Sequence, residues 1–343
     1  MKAYRGVGVA VAIETAPGRT GKIWLGHTGL LVSPIGLGLA ALGRPVYMAP
    51  GRDADLGRDR SVAAMRRRCQ VMLDAAYAAG ITYIDAARSY GLAEQFLNAW
   101  WNERGLPDHA LTVGSKWGYT YTGRWDLDAP VHEVKHLTVD TLRRHAYQSG
   151  VILGSRLSLY QIHSATLDSG VLEDSAVLAE LVRLRESGLC IGLTVTGRHQ
   201  AETIRRALDV RIDGVRLFQT IQATWNLLDP SAGTALADAS AEGVGVIVKE
   251  VLANGRLTDR YGGGRLRPLR VHAAELGTTV ETVAIAAVRS QPWADIVLSG
   301  AVTCDQLRAH IVAGDVCVAA DQFSSIAEPA SEYWRRRDFL PWT

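Results

Sequence analysis

The stretch GLGLAA, residues 36–41, fits the G-x-G-x-x-A pattern of a dinucleotide-binding turn, and the segment after it decides the fold. In an open, doubly wound sheet that turn must enter a helix at once, with an acid closing a second strand about 20 residues on. Here it enters GRPVYMAPGRDADLGRD (43–59), which holds two prolines and three glycines and has no helical period. A phosphate-binding turn of that kind is therefore not expected here, and GVGVAV (6–11) fails for the same reason.

Working outward, GLGLAA belongs to the first of eight short apolar runs: SPIGLGLA (33–40), TYIDA (82–86), LTVGSK (111–116), LSLYQIH (157–163), CIGLTV (190–195), VRLFQTI (215–221), VGVIV (244–248) and DIVLSG (295–300). Their length and their Val, Ile and Leu content are those of strands buried on both faces. Helical patterns alternate with them at 61–80, 172–188, 199–210, 231–243, 278–291 and 303–314. The first opens on Ser61 and stops at Gly80, which is cap chemistry. Eight strand–helix units with no polar linker predict a closed (β/α)8 TIM barrel rather than an open sheet. The expected organisation is an N-terminal extension or hairpin over 1–22, the barrel over 23–320, and a C-terminal tail or helix over 321–343.

The chain has 343 residues, 48% of them hydrophobic and 21% charged, with a formal net charge of +2. That surplus is too small for a nucleic-acid surface. The arginine clusters MRRRC (65–69) and WRRRDF (334–339) read as a solvated helix face and a solvated tail. Cys69, Cys190, Cys304 and Cys317 form no CxxC pair, so neither a zinc knuckle nor a disulfide framework is expected, and no metal. This cysteine usage fits the cytoplasm. The apolar stretch near the N-terminus is too short to span a bilayer, so no membrane partner is expected either.

Chemistry in such a barrel sits at the C-terminal ends of the strands. Three consecutive strands end in Asp85, Lys116 and His163, and adjacent strands lie about 4.8 Å apart. Tyr90 follows Asp85 by five residues and can fold back over the same mouth. Lys116 neutralises Asp85. Its ammonium is expected to lower the Tyr90 pKa, making the phenol a serviceable general acid. His163 can orient an oxygen atom between itself and Tyr90. An aspartate, a lysine or a histidine at a barrel mouth is commonplace; the ordered recurrence on consecutive strands carries the reading.

At this point the sequence resembles the aldo-keto reductase family. GITYIDAARSYG (80–91) looks like its second-strand signature, VGSKWG like its lysine strand, LYQIH like its histidine strand and ESGLCIGLTV like its GKIRxIGVS segment. QATWNLLD, VIVKEVLANGRL and SGAVTCDQL are similar to three further family segments, and the likeness runs from about residue 23 to 315. The resemblance implies hydride transfer between NADP(H), with NAD(H) as the alternative, and a small-molecule carbonyl or alcohol, with Tyr90 as proton donor. Carried over by position, Thr194 and Gln222 would meet the nicotinamide carboxamide and the loop Glu250–Leu257, including Leu252, Asn254 and Gly255, would line the pyrophosphate. Gly300, Thr303, Gln306 and His310 would hold the adenosine end, and Gly38 and Lys249 would also lie against the cofactor. Three positions depart from the family: Val195 replaces an asparagine, Lys249 an aromatic that stacks on the nicotinamide, and Val302 and Gln306 stand where a 2′-phosphate-binding arginine is common. Trp225 could compensate for the aromatic, and Lys249, Arg308 or Arg256 for the arginine.

Substrate contacts are expected from Tyr47 and Met48 after the first strand, and from Trp117, Tyr119, Tyr121 and Trp125 after the third, pointing to an apolar or ring-shaped carbonyl compound. The same aromatics could instead pack the loop onto the barrel, and the C-terminal SEYWRRRDFLPWT (331–343) could fold over the rim or pack elsewhere. Two rival readings are a class I aldolase using Lys116 as a Schiff base, and a cofactor-binding regulatory subunit with little turnover.

Overall fold

In the computed structural model, which describes residues 21–260 and 263–343, eight parallel strands close into a barrel. They are β1 (Ile35–Gly38), β2 (Tyr83–Asp85), β3 (Thr112–Trp117), β4 (Leu157–Ala165), β5 (Cys190–Val195), β6 (Thr220–Thr224), β7 (Gly245–Lys249) and β8 (Ile296–Ser299). Each pairs with its neighbour in chain order, and β8 pairs with β1. Helices α1 (Val62–Ala78), α2 (Ala93–Arg104), α3 (Val139–Leu153), α4 (Ser175–Glu186), α5 (Gln200–Leu208), α6 (Gly233–Ala241), α7 (Val280–Arg289) and α8 (Cys304–Val312) follow the strands in turn. This is the (β/α)8 architecture read from the sequence. Every residue of β3, β5 and β6 is buried, as strands covered on both faces require. Along α1, Met65, Cys69, Met72, Leu73 and Ala76 form one buried stripe at helical spacing, and the Ser61 side chain accepts from the Ala64 N–H as its cap.

The first glycine of GLGLAA, Gly36, serves packing. A side-chain carbon at Gly36 would lie 2.8 Å from the Tyr83 ring, and one at Gly114, on the other flanking strand, 2.3 Å from the Tyr83 hydroxyl. Tyr83 is fully buried in a cluster with Leu25, Leu159, Ile247 and Ile296. Leu25 comes from a hairpin, Ile23–Trp24 with Leu31–Val32, which is tied by the His27 N–H to the Gly243 carbonyl just before β7 and so plugs the N-terminal end of the barrel.

The sequence reading is corrected in three places. The sixth barrel strand is Thr220–Thr224; Val215–Arg216 instead pairs antiparallel with Arg211–Ile212, and Leu217 and Phe218 pack in the core. The strand expected there followed the most apolar run, whereas the true strand carries Thr220, Gln222 and Thr224. Helices α2, α3 and Arg267–Glu275 were not anticipated. The arginine-rich tail is not simply solvated: it is largely the helix Ala330–Asp338, which buries Tyr333 and Trp334. The extension expected over 1–22 lies outside the described residues except at its last two positions. All four cysteines are free, and among the described residues no helix is long and apolar enough to cross a membrane and no cluster could hold a metal ion.

Candidate active site

Register brings the polar side chains together. Asp85 on β2 pairs with Gly114 on β3, and Lys116 stands two residues further along β3; Lys116 pairs with Gln161 on β4, and His163 stands two residues further along β4. A two-residue step keeps a side chain on the same face of a strand, so all three share the inner rim. Lys116 Nζ forms an ion pair with Asp85 Oδ2 and donates to the Ala86 carbonyl (3.0 Å) and to Tyr90 Oη (3.3 Å). Asp85 Oδ1 accepts from Gln222 Nε2 (2.9 Å), across the barrel on β6. The Tyr90 ring meets the His163 ring edge-on at 5.6 Å, and Tyr119 packs edge-on against the same imidazole at 4.9 Å.

A bulge aims His163. Pairing of β4 with β5 breaks between Ile162 and Ala165, and Ser164 sits in the left-handed region (φ 58°). The Ser164 N–H is taken up by Thr194 Oγ1 at 2.7 Å. Thr194 is thereby fully buried and does not line the cavity, contrary to its expected contact with a carboxamide; Thr196, two residues on, does line it.

The rim opens into one cavity of ≈ 330 Å³. Its inner end holds Asp85, Tyr90, His163, Tyr119, Gln222 and Lys249, its wall Gly38, Glu250, Leu252, Asn254 and Gly255, and its outer end Gly300, Gln306, His310, Arg52, Asp55 and Arg260. Thr303 is absent from the lining because its hydroxyl caps α8, accepting from the Gln306 N–H. Trp117 is fully buried in the core, and Trp125 packs on Phe96 while its indole N–H binds the Arg60 carbonyl. Neither lines the cavity, so packing claims both; Tyr119, Tyr47 and Met48 do line it. Trp225 packs edge-on against Trp293 away from the cavity, so it cannot stand in for the aromatic that Lys249 replaces.

Arg44 on the lining was not anticipated, and of the two placements open to the C-terminal tail the structure shows the one over the rim. Arg44 is buried with its guanidinium 5.4 Å from the Tyr90 ring centroid, and it pairs with Glu133 at 2.7 Å. The C-terminal helix sends Arg337 to Glu250 (2.6 Å), while Tyr333 Oη accepts from Asn226 (3.0 Å). Trp342 stacks on His132 at 4.8 Å, and Thr343 exchanges two backbone hydrogen bonds of 3.0 Å with Tyr47, roofing the mouth. Nothing in the local sequence signals these contacts, because their partners are far apart along the chain.

Electrostatics revise the expected tuning of Tyr90. Burial, then Asp85, holds its phenol well above the ordinary range, and Arg44 opposes this. The charge of Lys116 is matched by Asp85, so the phenol is not made acidic at rest. His163 is pushed well below its ordinary value by burial and then by Lys116, Arg44 and Lys249, and stands as a neutral imidazole. Burial also lowers Lys116, against the pull of Asp85. Lys249 is brought down to about 8 by burial, with Glu250 opposing. Burial works against ionised Glu250, yet Arg337 and Lys249 hold it at about 2.

Two buried polar atoms on this lining, His163 Nδ1 and Asn254 Oδ1, have no hydrogen-bond partner among the described residues. A side chain added at Gly300 would meet open space. Unsatisfied polar atoms in a cavity lined by residues from Tyr90 to His310, with open space at Gly300, fit a polar ligand.

Residues 35–330 match the model of the aldo/keto reductase family. A candidate aldo-keto reductase from Pseudomonas aeruginosa superposes with a TM-score of 0.61 at 24% identity, over 90% of this chain and 99% of that one. A second such structure from the same organism gives 0.59 at 25%, over 88% and 94%. The holo form of an aldo-keto reductase from Bacillus halodurans gives 0.69 at 19%, over 91% and 97%. Likeness at these identities speaks to fold. No curated protein matches the chain.

Proposed function

The chain belongs to the aldo/keto reductase family, and from that premise we propose that it reduces an aldehyde or ketone to an alcohol, or runs the reverse, with a nicotinamide dinucleotide in the cavity. The observation that carries this reading is the contact of Tyr90 Oη with Lys116 Nζ at 3.3 Å, beside a neutral His163 at the inner end. When bound, the dinucleotide supplies or accepts the hydride. The protein does the rest. Tyr90, protonated at rest, gives its phenolic proton to the carbonyl oxygen as negative charge grows there. Lys116 then faces a forming phenolate, and its ammonium stabilises that charge only as the proton leaves, which is when stabilisation speeds the reaction. Asp85 and Gln222 fix the lysine in place. His163, uncharged, orients the carbonyl through a ring N–H without competing as an acid.

Gln222, Lys249, Glu250, Leu252, Asn254 and Gly255 would hold the dinucleotide along its length, with Gly300, Gln306 and His310 at the far nucleoside. NADP(H) is the first cofactor to test. Arg308 pairs with Asp305 on the surface and Arg256 with buried Glu328, and neither lines the cavity. The guanidiniums available to a 2′-phosphate are Arg52 and Arg260, both engaged with Asp55; that carboxylate keeps NAD(H) as the alternative. An aldolase reading of Lys116 is disfavoured by its ion pair and by an exposure of only 1%.

The test is loss of reduced-cofactor absorbance with a panel of aldehydes and ketones, for wild type and Tyr90→Phe. Turnover in wild type, its loss in the variant and unchanged cofactor affinity are expected. Near-normal turnover in the variant sinks the mechanism. Tight cofactor binding by wild type with no turnover across the panel transfers the case to a regulatory subunit.

A further inference from the structure

The cations on the cavity lining are matched, with one exception. Arg44 pairs with Glu133 (2.7 Å), Arg52 and Arg260 with Asp55 (3.6 and 2.6 Å), and Arg337 with Glu250 (2.6 Å). Lys249 makes one hydrogen bond, to Thr224 Oγ1 at 2.7 Å, and no ion pair among the described residues. Its neighbour Glu250 pairs with Arg337 and reaches Lys249 through the shared Thr224 hydroxyl, so it offsets the lysine's charge only in part.

The position of this ammonium derives from β6. Thr224 lies two residues beyond Gln222, whose amide holds Asp85. Gln222 and Thr224 share one face of β6 and lie about 7 Å apart along it, so the Lys249 ammonium, held at Thr224, stands about one side-chain layer above the amide that holds Asp85. Carbonyl chemistry needs Tyr90 and His163 together, so the nicotinamide ring must lie at this same inner end, in the field of Lys249. The ring is a cation when oxidised and neutral when reduced.

We propose that Lys249 sets the redox balance of the bound cofactor: its ammonium disfavours the oxidised ring, so the reduced form binds more tightly. This rests on the dinucleotide reading above. Bound oxidised cofactor is correspondingly the stronger hydride acceptor, which eases alcohol oxidation. In that direction the alcohol's hydride, with both bonding electrons, would pass to the ring, and its hydroxyl proton to Tyr90 after that phenol has released its own proton to solvent. An aromatic residue at 249 would exert no such charge.

Lys249 faces Glu250 on its own strand end, Thr224 on β6, Arg337 and Trp334 on the C-terminal helix, and feels Lys116 and Asp85 across the rim. With a pKa of about 8 it is charged at pH 7 and loses that charge above pH 9. Lys116 is also lowered, so substitution must separate the two.

The experiment is calorimetric titration of the full chain with the oxidised and reduced forms of NADP and NAD at pH 7 and pH 9.5, for wild type, Lys249→Met and Lys249→Arg. Unit charges this close interact strongly enough to shift the oxidised-to-reduced ratio of Kd on the order of tenfold. Lys249→Met is expected to tighten the oxidised form by that factor and leave the reduced form within about twofold. Lys249→Arg should keep the wild-type ratio, and the ratio should fall between the two pH values in wild type more than in Lys249→Met. A ratio unchanged by Lys249→Met, or both forms weakened equally, overturns the proposal while leaving the enzyme reading intact. Failure of wild type to bind any of the four ligands defeats both.

Discussion

Replacing Arg337 by methionine isolates the energetics of the C-terminal helix. Glu250 has a side chain only 8% exposed and that of Arg337 is 18% exposed, so solvent screens the pair little. Glu250 also adopts a left-handed backbone (φ 54°), which costs about 1–3 kcal/mol and persists only where surroundings impose it. Its carboxyl is displaced from an ordinary 4.5 to about 2. At about 1.36 kcal/mol per pH unit, that displacement corresponds to roughly 3 kcal/mol of stability. Because the folded value is depressed, the contribution is present above pH 4.5 and is lost as the pH falls toward 2. Without Arg337 a buried carboxylate has only Lys249 and Thr224 to support it, and burial pushes it up. Arg337→Met is therefore expected to lose about 2–4 kcal/mol at pH 7, in line with the cost of breaking a buried pair. Urea denaturation at pH 7 and pH 4 measures this. The gap between wild type and variant should narrow at pH 4, where the variant protonates Glu250. A loss below about 1 kcal/mol at pH 7, or a gap that does not narrow, refutes the assignment.

Other contacts lead to three more outcomes. Gly114→Ala would set a methyl 2.3 Å from the buried Tyr83 hydroxyl and is expected to cost about 1–3 kcal/mol in chemical denaturation, with partial recovery on adding Tyr83→Phe, which removes the atom in conflict. Asp55→Asn should free Arg52 and Arg260 and raise affinity for NADPH relative to NADH about tenfold by titration; an unchanged ratio would show that the outer end does not read the phosphate. His163, neutral throughout, should give kcat/KM no acid limb between about pH 5.5 and 7.5, whereas a limb centred near 6.5 would mean that the imidazole titrates.

Much of the barrel was legible because its strands are buried on both faces and so read as apolar runs. Where the inward face is polar, the signal misleads: Thr220, Gln222 and Thr224 make β6 look less like a strand than VRLFQTI, which ends on Thr220–Ile221. Asp85, Lys116 and His163 were readable from position alone, since a fixed two-residue gain per strand carries strand ends to one rim. Thr194 and Trp117 lie buried off the cavity lining, and residue type does not reveal a bulge or the direction of a side chain at a strand end. The place of Arg44, and which residues of the tail would reach the rim, were invisible to any local pattern. Arg337 meets Glu250 across 87 positions, and the WRRRD segment that supplies it reads as solvated by composition. The upward push on Tyr90 was not foreseen because it comes first from burial of the phenol and then from Asp85, and spacing along the chain does not reveal burial.

The indole of Trp342, against the His132 ring and with the Arg44 guanidinium 4.8 Å from its centroid, carries an optical consequence. The stacked imidazole can alter its emission, and Arg44 lines the cavity beside it, so a ligand entering there changes the indole's surroundings. Of the nine tryptophans in the chain, this one lines the cavity, so intrinsic fluorescence followed by rapid mixing would time the arrival and departure of ligands without an attached dye.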